Sequence, residues 1–212
     1  MTETNREIIA IEREMFDCVQ NPGGRTPCQD DSQMFSAMRD SQLSAWNDDM
    51  CLSYLADLQA AQREGRNLFV EKYRYMMKLM NPEEYTGMQE RLPPHSMERD
   101  WLIDWISKAQ VVWQEALAAT YPYLVGNGRN IRKSEGNSQV ASFESYLCGE
   151  LSTYSVQTLR LYAAYVERLQ KAGDNLNEMI LRNMVAVYGY TSLGAAEARL
   201  SGKQTVVVKR ED

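Results

Sequence analysis

Apolar residues recur at three- and four-residue steps along most of this chain, the spacing of one face of an α-helix rather than the alternation of a strand. The clearest run follows Pro93-Pro94-His95. Ser96 stands as an N-cap, and Leu102, Trp105, Ile106, Ala109, Val112, Trp113, Ala116 and Leu117 form one stripe, ended by Pro122. A second helix opens at Ser155, repeats through Leu159, Tyr162, Ala163, Val166 and Leu169, and stops at Gly173, where a left-handed cap is expected. A third starts near Asp174, carries Leu176, Met179, Ile180, Met184 and Val187, and stops at Gly189.

The first ninety or so residues predict shorter helices. One covers residues 4–19, with Ile8, Ile11, Met15, Phe16 and Val19 inward, closed by Asn21-Pro22-Gly23-Gly24. The next begins after Asp30 or Asp31 and runs to about Trp46; another runs from near Asp48 to Gly65. A fourth takes Phe69, Tyr73, Met76 and Met80 as its buried stripe. Asn81-Pro82-Glu83-Glu84 is a further start signal, with an Asn cap, Pro at the first helical position and acids in the first turn. Only Thr205–Val208 has strand character, in the terminal segment.

The expected fold is therefore all-α, a bundle of about eight to ten helices with a short irregular or strand-like C-terminal tail. Its 212 residues fit a single helical domain. The stretch 123–138, rich in Gly and Asn, suggests a subdivision into an N-terminal block 1–122 and a C-terminal block 139–200, or else one long loop.

Composition narrows the chemistry. The chain holds a single histidine, His95, which rules out a multi-histidine metal site within one chain and any two-histidine mechanism. With 23 Lys+Arg against 29 Asp+Glu the net charge is −6, a balance that argues against nucleic acid and against anionic membrane surfaces. No apolar stretch approaches the roughly 20 residues of a membrane-spanning helix, and the N-terminal stretch has no apolar core of a secretory signal, so a cytoplasmic location is expected. The four cysteines, Cys18, Cys28, Cys51 and Cys148, form no C-x-x-C pair and read as free thiols.

Several groupings are candidates for function. In SQMFSAMRDSQLSAW, Phe35, Arg39, Gln42 and Trp46 fall at steps of four, three and four and so share one face. Two aromatics with a guanidinium and an amide between them suit a pocket wall, Trp46 stacking while Arg39 and Gln42 hydrogen-bond a polar ligand or a carboxylate. The alternative is that Met34 and Met38 define the core face and Arg39 only snorkels. In GRNLFVEKYRYMMKLM, Glu71, Lys72 and Arg74 lie off the apolar stripe and read as a solvated face; a functional reading makes Glu71 the partner of Arg39 across a pocket lined by Tyr73. The Gly-rich turn with Arg25 and Cys28 could hold an anion or activate the thiol, although Asp30 and Asp31 oppose both. The acid pairs Glu14/Asp17 and Asp100/Asp104 have spacings that a Mg²⁺ site could use, with surface acids as the ordinary explanation, and no metal ligand set is assigned. His95 could act as a base, and the basic loop Arg129, Arg132, Lys133 could close over an acidic ligand.

Several stretches together resemble a bacterial family of unknown function, domain of unknown function 4125. They are EREMFDCVQNPGGRTPCQDD, SQMFSAMRDSQLSAW, GRNLFVEKYRYMM with NPEEY, FESYLCGELSTYS and NMVAVYGYTSLGAAEARL, spread over most of residues 1–200. The resemblance implies a helical, cytosolic protein with no assigned reaction or cofactor. It also implies an accessory role beside a nucleotidyltransferase-like partner. It draws attention to Glu14, Gln29, Arg39, Gln42, Trp46, Glu71, Tyr73 and Glu150, which lie inside the matching stretches.

Three functions stay open. The first is an accessory or regulatory domain binding a small polar molecule or peptide, in a pocket where Arg39, Gln42 and Glu71 converge. The second is a Mg-dependent hydrolase or transferase acting on a phosphorylated or nucleotide-like substrate. The third is an interaction module, such as a homodimer, exposing Trp101, Trp105 or Trp113.

Overall fold

A computed structural model describes residues 1–20, 24–25, 27–85, 92–126, 128–133 and 141–208. Among them are twelve helical segments and no strand: α1 (Glu3–Asp17), α2 (Pro27–Asp30), α3 (Ser32–Leu43), α4 (Asp48–Arg63), α5 (Leu68–Met80), α6 (Pro82–Tyr85), α7 (Met97–Thr120), α8 (Pro122–Val125), α9 (Phe143–Leu151), α10 (Val156–Ala172), α11 (Leu176–Val187) and α12 (Leu193–Val208). The fold is an all-α bundle.

Local chemistry sets most helix starts. Thr2, Asp31, Asn47, Ser96, Ser142, Ser155 and Asn175 each accept a hydrogen bond from the backbone N–H three residues on, satisfying a donor that the helix itself cannot. Gly173 ends α10 with φ 75°, a left-handed conformation that a Cβ would strain. Pro122 cannot continue α7 and instead opens the single turn of α8.

The apolar faces meet in one main core. Ile8 of α1, Leu43 at the end of α3, Met50 and Leu58 of α4, Ile106 of α7, and Leu159 of α10 are all 0–1% exposed within it. Helix α1 packs on α3, α4 and α5; α5 lies along α9; α7 touches α9, α10 and α11; and α11 returns to α3. A smaller cluster, Val185, Leu193 and Ala196, joins α11 to α12.

The structure departs from the sequence pattern in three places. Thr205–Val208 lies within helix α12 rather than in a strand, since a helix already nucleated upstream extends through residues whose intrinsic preference against it is small. On α7, Val112 is 59% exposed while Gln110 is buried, because α9, α10 and α11 flank this helix and widen its buried arc. On α5 the buried face is Leu68, Phe69, Glu71, Lys72, Tyr75 and Met76. Glu71 and Lys72 are 6% and 5% exposed, not solvated. They turn inward because each meets an opposite charge supplied from outside the helix, a compensation that periodicity does not register.

Gly149 lets α9 approach α5. A Cβ there would stand 2.4 Å from Met76 Cγ and 2.9 Å from the Lys72 carbonyl oxygen, and the latter is backbone that cannot step aside. Gly149→Ala is therefore expected to cost about 1–3 kcal/mol by overpacking, read as a lower midpoint in thermal or urea unfolding.

Candidate functional site

Glu12 sits between Ile8 and Met15 on the inward side of α1 and is 0% exposed. A buried carboxylate needs a counter-charge and hydrogen bonds, and Arg39 of α3 supplies both. Arg39 Nε donates to Glu12 Oε2 at 2.7 Å and Nη2 to Oε1 at 2.5 Å, a fork-on-fork pair. Tyr54 of α4 adds a hydrogen bond to Glu12 Oε1 at 2.7 Å.

The remaining donors of Arg39 reach a second carboxylate. Its Nη1 donates to Gln42 Oε1 at 2.8 Å and to Glu150 Oε1 at 3.1 Å. Gln42 Nε2 donates to the same Glu150 oxygen at 3.2 Å, and the Tyr154 hydroxyl does so at 2.9 Å. Lys72 Nζ holds the other oxygen at 3.0 Å. Two acids and two bases thus close a neutral quartet across α1, α3, α5 and α9.

The charges are held firmly. Burial alone would raise the Glu150 carboxyl, but Lys72 and Arg39 outweigh it, with hydrogen bonds from Lys72 and Tyr154, and keep it far below the usual carboxylate range. Burial likewise works against charged Lys72, yet Glu150 beside it leaves its ammonium above the ordinary value. The Tyr54 and Tyr154 hydroxyls are pushed well up, first by burial and then chiefly by Glu12 and Glu150 respectively, so they act as donors.

Trp46 completes the surroundings. It is 6% exposed, and its ring centroid lies 5.3 Å from Tyr162, 5.8 Å from Tyr54 and 6.1 Å from Tyr154. Phe35, Arg39 and Gln42 of α3 do turn inward, and Trp46 does so from the turn beyond the helix, which ends at Leu43. What the guanidinium grips is two carboxylates of the chain itself. Beside the quartet lies a void of about 10 Å³ touching Glu12, Arg39, Lys72 and Glu150, room for one water at most.

Other candidates are dispersed. Glu71 pairs with Arg66 rather than Arg39, both oxygens accepting at 2.8 Å. Tyr73 is half-buried, and its hydroxyl is pushed up to about 12, first by burial and then by Tyr146. Gln29 is fully buried and its amide caps the end of α1, donating to the carbonyls of Phe16 and Val19 at 3.0 Å each. Glu14 is exposed, while Asp17 pairs with Arg13 and Arg25; Asp100 meets His95, and Asp104 meets Lys108. Among the described residues no third acid, His or Cys gathers with either pair to form a metal cage. His95 has both ring nitrogens engaged, by Asp100 at 2.8 Å and the Ser152 carbonyl at 3.2 Å. Arg132 pairs with Glu115, and the Cys28 side chain lies outside the described residues. Trp101 is 61% exposed, whereas Trp105 and Trp113 pack partly against the core. No helix among the described residues is long and apolar enough to cross a membrane.

The open space lies on the far side of Gln42 and Glu150. There a cavity of about 420 Å³ runs between α7, α9 and α11, within the roughly 300–1,000 Å³ of small-molecule sites. Its apolar walls include Leu117, Phe143, Leu147, Ile180, Leu181 and Met184. Gln42, Gln110, Gln114, Asn177, Glu150 and Tyr162 supply the polar part, and Arg129 lies at the edge with its guanidinium carbon 4.8 Å from the centre of the Tyr146 ring.

A profile for proteins of unknown function, DUF4125, matches residues 2–198. The chain belongs to that family. No curated protein and no solved structure matches this DUF4125 member. In its sequence the residues missed were Glu12 and Lys72 in the quartet, Tyr54 and Tyr154 that donate to it, and Gln110, Gln114 and Asn177 in the cavity. A signal existed for some. Glu12 falls four residues after Ile8 and three before Met15, and Gln110 and Gln114 continue the inward line from Ile103 and Ile106 to Leu117. Polar residues embedded in an apolar stripe are the pattern that marks them in this DUF4125 member.

Proposed function

We propose that this protein is an accessory or regulatory domain that binds a small molecule in the cavity between α7, α9 and α11. The observation that carries the reading is the cavity's mixed lining: apolar walls of sufficient size, with side-chain amides converging at one end. The quartet supports it from behind. Gln42 and Glu150 reach both structures, so Arg39 and Lys72 fix the orientation of two groups that line the cavity. Arg39 is then a positioning residue and not a ligand contact.

A thermal-shift screen against a metabolite and nucleotide panel tests this. A compound present at about 100 times its Kd stabilises the fold by about 2.7 kcal/mol, on the order of 5–10 °C in the midpoint of a chain of this size. Met184→Trp, which fills the cavity from α11, is expected to retain the helical circular dichroism and to abolish the shift. A panel compound that stabilises the wild type and Met184→Trp equally would place binding elsewhere.

A further inference from the structure

The amide end of the cavity has a definite hydrogen-bond pattern. Asn177 spends its Nδ2 donors on the Gln110 carbonyl at 2.9 Å and on Gln114 Oε1 at 3.0 Å, and Gln110 Nε2 donates to the Tyr162 hydroxyl at 2.9 Å. The groups left over are Gln110 Oε1, Asn177 Oδ1 and Gln114 Nε2, none of which meets a partner among the described residues. Gln110 is 3% exposed and Asn177 7%, and both line the cavity, so the little polar surface they keep is offered there. Amide groups at a cavity wall are met by water until a ligand reproduces those hydrogen bonds. Two acceptors and one donor therefore await a complementary molecule.

Charge narrows the class. Glu150 and Arg129 are the charged residues among those described around the cavity. Glu150 is already balanced by Arg39 and Lys72, so a cationic ligand gains no unpaired carboxylate. An anion placed at the amide end would find no spare cation there, since Arg39 and Lys72 are already paired and Arg129 is exposed. An uncharged molecule meets neither difficulty.

We propose that the cavity selects a neutral, planar molecule that carries an N–H donor beside an acceptor, seated on Gln110, Gln114 and Asn177 with its flat body against the apolar walls. This rests on the cavity being the binding site. A primary aromatic carboxamide and an aminopurine both present such an edge, and side-chain amides recognise the latter by one bond in each direction.

Titration calorimetry with four compounds tests it: nicotinamide, adenine, nicotinate and purine. Nicotinate replaces the carboxamide by a charged group of the same shape, and purine lacks the exocyclic amine. Nicotinamide or adenine should bind, whichever is the better fit identifying the source of the edge, and its control should bind at least about tenfold more weakly, because a site built for hydrogen bonds rejects an analogue that leaves them unmade. Gln110→Leu should weaken the favoured compound by a similar factor while its unfolding midpoint shows that it is folded. Nicotinate or purine binding as tightly as its partner would overturn the proposal while leaving the cavity as a binding site. Binding of none of the four would also overturn it; the metabolite panel with Met184→Trp then decides separately whether the cavity binds anything.

Discussion

Arg39→Ala lowers the unfolding midpoint without any ligand present. The substitution leaves Glu12 fully buried with only the Tyr54 hydroxyl, and leaves Glu150 with Lys72 as its single cation. Breaking one side of a buried ion pair costs about 3–5 kcal/mol because the surviving charge loses its compensation, which for a domain of this length is on the order of 10 °C. Arg39→Lys recovers little of this, since an ammonium cannot reproduce the two-pronged contact with Glu12. Arg160→Ala, which removes an exposed pair with Glu98, is the control and leaves the midpoint essentially unchanged. A sequence reading that makes Arg39 a ligand contact expects the opposite: an intact fold and a lost ligand response.

Acid should unfold the protein through Glu150. Its carboxyl is depressed below the ordinary value of 4.5 in the folded state, against the upward push of burial, by Lys72 and Arg39. A group depressed on folding contributes its full stabilisation above the unfolded value and loses it as pH falls toward the folded one. The wild-type midpoint should thus be nearly flat with respect to this group at neutral pH and decline as pH drops below about 4.5. Glu150→Gln should start lower at neutral pH and decline less steeply, because its amide does not titrate. Parallel curves for the two proteins, followed by differential scanning calorimetry, would remove Glu150 from this role.

How much was legible depended on range. Ser96, Ser155 and Gly173 mark helix ends through bonds to residues three or four away, so their meaning is local and the sequence displays it. The inward turn of Phe35, Arg39 and Gln42 is equally local, a matter of helical angle, while Trp46 turns inward from the bend that follows α3. The object of Arg39's grip is not, since Glu12 lies 27 positions back and Glu150 lies 111 ahead. The same distance problem hid Lys72, whose partner is 78 positions away. On an isolated helix Lys72 reads as solvated, and only the approach of α9 at Gly149 brings the compensating charge. The cavity was harder still. Gln110, Gln114 and Asn177 come from two helices, α7 and α11, separated by α8, α9 and α10, and each alone is an ordinary amide.

The cavity and the quartet can be told apart in one titration. The compound giving the largest shift in the metabolite panel is added to isotopically labelled protein, and the side-chain NH₂ signals of Gln110, Gln114 and Asn177 are followed together with the Arg39 Nε–H signal by NMR. Progressive movement of the three amides, with the guanidinium signal nearly still, is the expected result. Movement centred on Arg39 Nε–H with the amides unchanged would contradict it and return the binding site to the α3–α5 side.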